Sequence, residues 1–392
     1  YLRSWDMKSN YNQLGQYIEM VSRTNSDLKY GIEDVRGCSN TKQMMQTRAN
    51  LIGRTYEKFI VLRPQEFVFN RRTTRNGEKI GMAYNNTDRE YIFTNDYVAF
   101  RVKQEYLDKL LPDYLYMFFC RDEFDRYARY KSTGSATEFF NWEDMCAVPF
   151  EIPPMDFQQL VVNAYKVLNE RIETKQKIND NLATQALTLF SDFVSHRSKK
   201  LEQRKLGDVI ASANTGGDAI QKVPIVDYDT GIKCARVGDI TNAREYASWA
   251  FCNASKSVYD NYKLQAGDIL VTRTATLGIT QYIAKDISAV YNNGLIRLKV
   301  DDTNALSLYI YWAMKTSDFL NYINQMNSAT SVRPNMKIDY LLNYQLSIPS
   351  IEEQTQFTNA VEPLMKAISL NNDEILKLSE LQAIILTTLS SR

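Results

Sequence analysis

Histidine is almost absent from this sequence, since His196 is the only one in 392 residues. One histidine argues strongly against histidine-dependent catalytic triads and against zinc sites built from imidazoles. The cysteines are equally unsuited to disulfides or metal binding, because their number is odd and no two form a Cys-x-x-Cys pair. They are Cys38, Cys120, Cys146, Cys234 and Cys252. We therefore expect neither a disulfide framework nor a metal site, and a reducing cytoplasm fits.

Long apolar runs and an excess of positive charge are missing as well. No stretch approaches the roughly 18–20 apolar residues of a membrane span, so we expect no membrane partner. The 47 Lys and Arg residues nearly balance 46 Asp and Glu, which leaves a formal net charge of +1. A protein that binds nucleic acid alone through bulk charge is usually more basic. The composition still permits a DNA-binding protein that shares the duplex with partner subunits.

The sequence also lacks the motifs of common cofactor-dependent and hydrolytic chemistries. It has no Gly-x-Gly-x-x-Gly run for a dinucleotide or methyl donor, no His-Glu-x-x-His, and no Asn/Asp-Pro-Pro-aromatic tetrad of adenine methyltransferases. Pro153-Pro154 stands between Ile152 and Met155, and Gly216-Gly217 is not followed by Gly-Lys-Ser/Thr, so a simple turn is predicted there. We expect no active site and no cofactor in this chain.

What the sequence does contain is a long internal repeat. Its length and its 44% of hydrophobic residues suffice for two or three packed domains. Glu151-Ile152-Pro153-Pro154 matches Ser347-Ile348-Pro349-Ser350 at an offset of 196 residues (348 − 152). Gln158 matches Gln354 at the same offset. Weaker matches precede both copies in the same order, which predicts a pseudo-two-fold duplication of one fold.

Each copy of this motif is followed by a predicted long helix. Seam positions, most of them apolar, recur in alternating steps of four and three, as in a helix that packs along one seam. They are Val161, Tyr165, Leu168, Ile172, Lys175, Asn179, Leu182, Ala186, Leu189 and Phe193 in the first copy, and Phe357, Val361, Leu364, Ile368, Asn371, Ile375, Leu378, Gln382, Ile385 and Leu389 in the second. The polar step at Lys175, Asn179 and Asn371 recurs at the same depth. We predict two helices packed together as an antiparallel coiled coil; the alternative is that each packs only on its own domain.

The ends and the length of these helices carry further expectations. Ser350 with Glu353 fits a capping box, Asp156 fits a cap for the first helix, and Pro363 should bend or loosen the second. A helix of about 38 residues is roughly 57 Å long. This length exceeds one turn of B-DNA, about 34–36 Å. Two domains held apart by such helices could contact two separated stretches of one duplex.

The regions that precede the helices predict two β-rich domains. Short runs rich in β-branched and aromatic residues, separated by Gly, Asn and Asp, begin each half, and helical stretches follow. We therefore predict an α+β protein with two β-rich domains separated by two long helices. The predicted parts are domain 1 over 1–150, a first spacer helix over 151–198, domain 2 over 199–346 and a second spacer helix over 347–392.

Basic and hydroxyl-bearing loops are the candidate nucleic-acid contacts. From residue 48 to residue 79, eight basic residues accompany three acidic ones, a local charge of +5 (8 − 3). Arg and Asn side chains can bind guanine and adenine edges through two hydrogen bonds. A solvated surface hairpin is the alternative interpretation. The candidate DNA-contacting residues are Arg36, Lys42, Arg48, Arg71, Arg72, Thr73, Arg75, Lys79, Ser135, Thr215, Lys222, Arg236, Arg273, Thr274, Thr276, Thr330 and Arg333.

Several short phrases stand in the same order in both halves. They are Gly31-Ile32-Glu33-Asp34-Val35-Arg36-Gly37 and Glu66-Phe67-Val68-Phe69-Asn70 in the first, and Ala235-Arg236-Val237-Gly238-Asp239-Ile240 and Gly267-Asp268-Ile269-Leu270 in the second. With the duplicated Ile-Pro entry into a long helix, they resemble the specificity subunits of type I restriction–modification enzymes. The resemblance covers nearly the whole chain. Two residues depart from it, namely Ser350, which replaces a second proline, and Pro363, which interrupts the second helical pattern.

The resemblance implies a binding function without chemistry in this chain. Each β-rich unit would be a target recognition domain that reads half of a bipartite site in double-stranded DNA. The helices would set the spacing and dock two modification (methyltransferase) subunits, which bind S-adenosylmethionine; restriction subunits would add steps that need ATP and Mg. The alternatives are a coiled-coil adaptor or DNA-binding regulator with two protein- or DNA-binding domains, and a methyltransferase or nuclease, which the missing motifs disfavour.

Overall fold

The structure is a computed structural model that describes residues 12–47, 51, 53–72, 79–134, 138–196, 202–329 and 335–389. Its contacts divide the chain into two units. Unit 1 comprises Tyr1–Ile172 and Leu378–Arg392, and unit 2 comprises Glu173–Lys377. Both unit boundaries lie inside the long helices, so each unit contains part of each helix. The predicted division into domains and spacer helices remains a prediction.

Unit 1 is built on a four-stranded antiparallel sheet with helices that follow it in the chain. Its elements are β1 (Ile18–Val21), β2 (Arg36–Cys38), β3 (Met44–Gln46), β4 (Ile60–Leu62), β5 (Phe67–Asn70), β6 (Met82–Tyr84), β7 (Tyr91–Phe93), β8 (Tyr97–Val102), α1 (Pro112–Phe119), α2 (Asp122–Lys131), α3 (Trp142–Cys146) and the first part of α4 (Met155–Ser195). The sheet has the order β1-β8-β5-β6, and β2–β3 and β4–β7 form two small antiparallel ladders.

The aromatic residues of unit 1 lie mainly in its core. Phe67 and Phe69 on one face of β5 and Val68 on the other are all fully buried, so both faces of this central strand are covered. Phe67 stacks on Phe100 with ring centroids 5.0 Å apart and meets Phe119 of α1 edge-on. Edge-to-face and offset aromatic pairs contribute about 0.5–1.5 kcal/mol beyond the area that they bury. The aromatic excess of this half is thus largely explained by packing of α1 on the sheet.

Unit 2 repeats this arrangement. After the rest of α4, its elements are β9 (Glu202–Lys205), β10 (Ile210–Thr215), β11 (Lys233–Ala235), α5 (Val237–Thr241), α6 (Lys256–Tyr262), β12 (Ile269–Thr272), β13 (Thr280–Tyr282), β14 (Ala289–Tyr291), β15 (Leu295–Val300), α7 (Ser307–Ala313), α8 (Ser317–Ala329), α9 (Ile338–Leu342), β16 (Gln345–Ile348) and α10 (Ile351–Thr388). The main sheet has the order β10-β15-β12-β13, the same topology as in unit 1. The predicted α+β class and internal duplication are confirmed.

The turn that enters the central strand is repeated in atomic detail. Before β5, the Glu66 carboxylate accepts a hydrogen bond from Arg63 N at 2.7 Å, and before β12, Asp268 accepts one from Gln265 N at 2.8 Å. The residue before each acid has positive φ, 62° at Gln65 and 87° at Gly267. A buried carboxylate that closes such a turn fixes the point at which the strand begins. These turns explain two of the short phrases that recur in the sequence.

The start of each long helix is anchored by an equivalent glutamine. Gln158 and Gln354 are both fully buried. Gln158 Oε1 accepts from Leu111 N at 2.9 Å and its Nε2 donates to Pro153 O at 2.8 Å. Gln354 repeats both bonds, with Leu306 N at 2.7 Å and Pro349 O at 2.9 Å. Each glutamine therefore ties the Ile-Pro entry of its long helix to the residue before α1 or α7.

The two long helices pack together along the predicted seam. In unit 1, Val161 of α4 lies in the same core as Leu389, which follows α10. In unit 2, Phe190 near the end of α4 meets Phe357 near the start of α10, with ring centroids 5.2 Å apart. The helices thus run in opposite directions. One seam position is wrong: Leu189 is 42% exposed, and Phe190 takes its place in the core.

The polar step of the seam lies in unit 2 and is fully bonded. Lys175 Nζ contacts Asn371 Oδ1 and Glu374 Oε2, each at 2.9 Å. Asn371 donates to Asn179 at 2.8 Å, and Asn179 donates to Asn372 at 2.6 Å. Each polar side chain has a partner on the facing helix, which fixes the register of α4 against α10.

The predicted helix ends are only partly correct. Ser350 and Glu353 form the expected capping box, with Glu353 N to Ser350 Oγ at 3.3 Å and Ser350 N to Glu353 Oε2 at 3.1 Å. Asp156 is not a cap, because α4 already begins at Met155. The helix α10 continues through Pro363.

Candidate nucleic-acid interface

In unit 1 the candidate interface lies where β5 ends. Arg71 and Arg72 follow this strand and are exposed. The carbonyl of Arg71 accepts a hydrogen bond from Phe140 N at 2.9 Å, and Arg72 pairs with Phe139. The structure therefore brings the basic end of β5 beside the segment that follows the predicted contact at residue 135.

The exposed cations of this surface form only weak ion pairs. Arg72 lies 3.5 Å from Asp96, and Lys79 lies 3.4 Å from Asp122, with all four side chains about half exposed or more. Exposed pairs of this kind contribute about 0–1 kcal/mol. A phosphate could therefore replace either carboxylate at little cost, and the DNA contacts of Arg72 and Lys79 stay predictions.

Lys42 does not belong to this surface, and its prediction as a DNA contact is wrong. Its side chain is 3% exposed and is ion-paired with Asp125, whose side chain is 7% exposed. Burial lowers the pKa of Lys42, and the Asp125 carboxylate opposes that effect. The ammonium group cannot reach a phosphate from this position without unfolding its surroundings.

Arg36 is held by its own domain. Its Nη1 donates to Glu33 O at 2.7 Å and to Val35 O at 3.0 Å, and its guanidinium lies 4.5 Å from the centre of the Tyr91 ring. The side chain is only partly exposed. These contacts orient Arg36 rather than leave it free, and its DNA contact stays a prediction.

In unit 2 the end of β12 repeats the arrangement at the end of β5. The carbonyl of Arg273 accepts from Met336 N at 2.8 Å, and Thr274 pairs with Asn335. The guanidinium of Arg273 donates to Met336 O and Asn293 O, both at 3.2 Å. Arg273 therefore braces the surface with two of its five N–H donors, while the neighbouring hydroxyl residues Thr274 and Thr276 are partly or fully exposed.

A turn formed by residues 292–294 joins the other candidate residues of unit 2. Asn292 N donates to Ala235 O at 3.0 Å, next to Arg236, and Asn293 N donates to Gly217 O at 2.9 Å, near Thr215. Sequence reasoning did not select this turn, although Asn-Asn-Gly between two apolar runs is a turn signal. It brings the segments of Thr215, Arg236 and Arg273 to one place in the fold.

The remaining candidates of unit 2 are partly engaged. Arg236 pairs with the buried Asp239 at 3.0 Å, and the exposed Lys222 lies 3.3 Å from the hydroxyl of Tyr262. Gly216 is a packing glycine, because a Cβ there would lie 2.2 Å from Tyr291 O. Gly217 forms a β-bridge with Asn292, and the turn lies at residues 219–222, so the simple turn predicted at the Gly-Gly pair is wrong in its position. Arg48, Thr73, Arg75, Ser135, Thr330 and Arg333 lie outside the described residues, so their predictions are unchanged.

Two further observations concern the described part of the chain. Within it, no three His, Cys, Asp or Glu side chains are grouped so that they could hold a metal ion. Among the helices of the same residues, none has both the length and the apolar character that a bilayer crossing demands.

Comparison with known proteins identifies the domain that carries the second candidate surface. Residues 198–380 match the family model of the type I restriction modification DNA specificity domain. This range contains the whole sheet of unit 2 together with Thr215, Arg236, Arg273 and Thr274. Residues 198–380 are thus similar to the DNA specificity domain of type I restriction–modification systems. The resemblance noted in the sequence is confirmed for this part of the chain.

The chain is similar to an S subunit of a type I restriction–modification system from M. genitalium, with 13% identity, 97% of this chain and 96% of that chain covered, and a TM-score of 0.49. It is also similar to an HsdS subunit from Thermoanaerobacter tengcongensis, with 16% identity, 96% and 95% coverage and a TM-score of 0.34. No curated protein matches the chain.

Unit 1 shares the architecture of this specificity domain although the family match begins at residue 198. The sheet order, the carboxylate turn before the central strand and the buried helix-start glutamine are the same in both units. The chain thus contains one recognised DNA specificity domain and a second unit of the same construction.

Proposed function

We propose that this chain is the DNA-reading subunit of a type I restriction–modification complex in which each unit reads one half of a bipartite double-stranded site. The observation that carries the proposal is the repeated surface at the end of the central strand. Arg71 and Arg72 stand beside residues 139–140 in unit 1, and Arg273 and Thr274 beside residues 335–336 in unit 2. The second of these surfaces lies in a matched DNA specificity domain.

The two surfaces suit different parts of DNA recognition. Exposed arginines serve both phosphates and guanine edges, whereas threonine hydroxyls serve phosphates and either base type. Unit 1 presents more positive charge, while unit 2 presents hydroxyls on a turn that Arg273 braces. We therefore expect unit 1 to contribute more to the salt dependence of binding and the two units to prefer different half-sites.

The long helices supply the remaining parts of the proposal. Apolar side chains stand exposed on both, with Leu160 at 68%, Val167 at 61%, Leu370 at 61% and Ile384 at 57%. A contiguous patch of exposed apolar side chains is typical of a protein association site, and the proposal requires these residues to contribute to such patches. In this proposal the helices dock two methyltransferase subunits and set the half-site spacing. Those subunits bind S-adenosylmethionine, restriction subunits bind ATP with Mg, and the complex works in the cytoplasm.

Binding and methylation assays together test this function. Methylated adenines are mapped in cells with and without the gene, which yields a bipartite site. Duplexes with either half-site scrambled are then titrated with the complex of this chain and its methyltransferase subunits. We expect both scrambled duplexes to bind at least tenfold more weakly than the intact site, with affinity that falls as salt rises. Equal binding to all three duplexes would contradict the proposal.

A further inference from the structure

A buried ion pair between Lys42 and Asp125 binds the backbone of Ile80, the residue that follows the exposed Lys79. Lys42 comes from the turn between β2 and β3, and Asp125 comes from α2. Both bind the backbone of one residue, Ile80: Lys42 Nζ donates to Ile80 O at 2.8 Å, and Ile80 N donates to Asp125 Oδ1 at 3.0 Å. The pair therefore holds both polar backbone groups of the residue next to Lys79.

The lysine end of this pair is itself fixed by the core. Lys42 adopts a positive φ of 64°, a conformation that costs a non-glycine residue free energy and persists only where neighbours enforce it. The carbonyl of Lys42 accepts from the hydroxyl of Tyr116 in α1 at 3.1 Å. Ser39 closes the turn through Gln43 N to Ser39 Oγ at 3.0 Å. Lys42 thus reaches Ile80 from a position that is set by other elements.

The position of Ile80 is passed on to the basic residues. Gly81 O, the next carbonyl, accepts from Asn70 N at 2.8 Å, so the start of the return strand is in register with the end of β5. Arg71 and Arg72 follow Asn70 directly, and Lys79 precedes Ile80. Three exposed cations therefore depend on the placement of one backbone segment.

A buried ion pair is poorly explained by stability alone. Desolvation of two charges offsets most of their attraction, and well-packed apolar residues of similar volume are often as stabilising. Apolar side chains, however, cannot bind Ile80 N and Ile80 O. The ion pair therefore fixes the position of the Ile80 backbone, which apolar side chains could not do.

We propose that Lys42 and Asp125 are positioning residues for DNA reading by unit 1, because they fix the backbone from which Arg71, Arg72 and Lys79 project. The inference rests on the proposed function. It also reverses the expectation for Lys42, which acts behind the interface and not in it.

Three variants of the full complex test this inference. Lys42→Met with Asp125→Leu replaces the pair by apolar side chains and removes both bonds to Ile80. Lys42→Met with Asp125→Asn keeps an oxygen that can accept from Ile80 N. Val61→Ala is the control, because Val61 is buried in a different cluster of unit 1, with Val35 and Ile92.

The measurements are hydrogen exchange over residues 79–84 and affinity for the intact and half-scrambled duplexes. We expect the apolar variant to exchange faster in this peptide and to lose at least tenfold in discrimination at one half-site, with the other within twofold. The Asn variant should retain part of both properties. Val61→Ala should leave discrimination unchanged even where it lowers the melting temperature.

The outcomes separate the inference from the proposed function. If the unsubstituted complex shows no preference for a bipartite site, the proposed function fails. If it shows that preference and the apolar variant keeps both half-sites within twofold, the positioning role is overturned. Should the apolar variant not fold, the Asn variant decides, because loss of the bond to Ile80 O must still reduce discrimination at one half-site by at least twofold.

Discussion

Replacing Gln354 with alanine should weaken unit 2 at the point where α10 begins. Gln354 is fully buried, and its amide bonds Leu306 N at 2.7 Å and Pro349 O at 2.9 Å. Alanine would remove both bonds and leave a donor and an acceptor in the interior. Because β16 leads into α10 through Pro349, the change would also release the entry of the helix.

The expected magnitude follows from the two orphaned groups. A buried donor or acceptor that loses its partner costs about 1–3 kcal/mol. Two such groups give about 2–5 kcal/mol, since water that enters the vacated space would satisfy part of their bonding. Gln356 lies on the same helical turn but is exposed, so Gln356→Ala is the matched control. A surface substitution of this kind should stay within about 0.5 kcal/mol.

Urea unfolding followed by fluorescence is a suitable assay. Trp249 and Trp312 are both buried in unit 2 and report on its unfolding. The midpoint should fall for Gln354→Ala with an unchanged slope, and should not move for Gln356→Ala. A loss of less than about 0.5 kcal/mol at Gln354 would refute the argument that this amide anchors the helix.

Gln354→Glu gives the same prediction a pH signature. A carboxylate keeps the acceptor for Leu306 N but opposes Pro349 O, so burial and this carbonyl should raise the pKa of the introduced group in the folded state. A group with a raised folded pKa contributes its stability below the unfolded value, about 4.3, and loses it as pH rises through the folded value. The deficit relative to the unsubstituted protein should therefore grow from pH 4 upward. A deficit independent of pH would contradict the assigned donor.

Three further changes have defined outcomes. Burial lowers the pKa of Lys315, whose Nζ donates to Thr280 O at 2.8 Å, to about 8 from 10.5. Between pH 8 and 10.5 the Lys315 amine is protonated in the unfolded chain and neutral in the folded one, so the unsubstituted protein gains stability as pH rises. The Lys315→Met variant should therefore be more stable than the unsubstituted protein at pH 8, and urea titrations should show this difference shrinking by about 3 kcal/mol by pH 10.5. Arg71→Ala should cost about 1–3 kcal/mol of DNA affinity with no change in unfolding free energy, whereas Arg273→Ala should lower both, because its guanidinium bonds two carbonyls. Lengthening both long helices by about two turns should widen the gap between methylated half-sites, and an unchanged gap would end the spacer hypothesis.

The internal repeat and the helix pairing were predictable because both follow from patterns that are visible in the sequence. The offset between Gln158 and Gln354 and the alternating steps of four and three require no knowledge of tertiary contacts. The polar step at Lys175 and Asn371 was also correct, since a polar residue in a seam must find its partner in the facing seam. Such patterns predict burial correctly because residues three and four apart lie on the same face of a helix and pack against the same neighbouring element.

The single error in the seam has a geometric cause. A repeat of seven residues drifts by about 20° per heptad on a straight helix of 3.6 residues per turn. From Val161 to Leu189 there are four heptads (28 residues), which gives a lag of about 80°. Phe190 stands about 100° further on and therefore faces the core, whereas Leu189 is exposed. A strict heptad template cannot represent this drift.

Lys42 was mispredicted because its environment comes from distant sequence. Its partner Asp125 is 83 residues away, and Ile80, which both bind, is 38 residues from Lys42. Lys42 stands shortly before the basic region of residues 48–79, and reasoning from local charge alone treats such a lysine as exposed. Only the docking of the β2–β3 turn against α1 and α2 encloses this one.

The two recognition surfaces share a backbone and differ in side chains, and this division has a functional consequence. Arg71 and Arg273 are joined to residues 140 and 336 through main-chain atoms, bonds that do not depend on the side chains present. The next position is Arg72 in one unit and Thr274 in the other, with the same strand pairing. Side chains at the exposed positions can therefore change the bases that are read while the turn, the strand and the buried glutamine keep the fold. Recognition is separable from folding where the surface side chain makes no bond to the described residues, as at Arg71, and is coupled to folding where the side chain makes such bonds, as at Arg273.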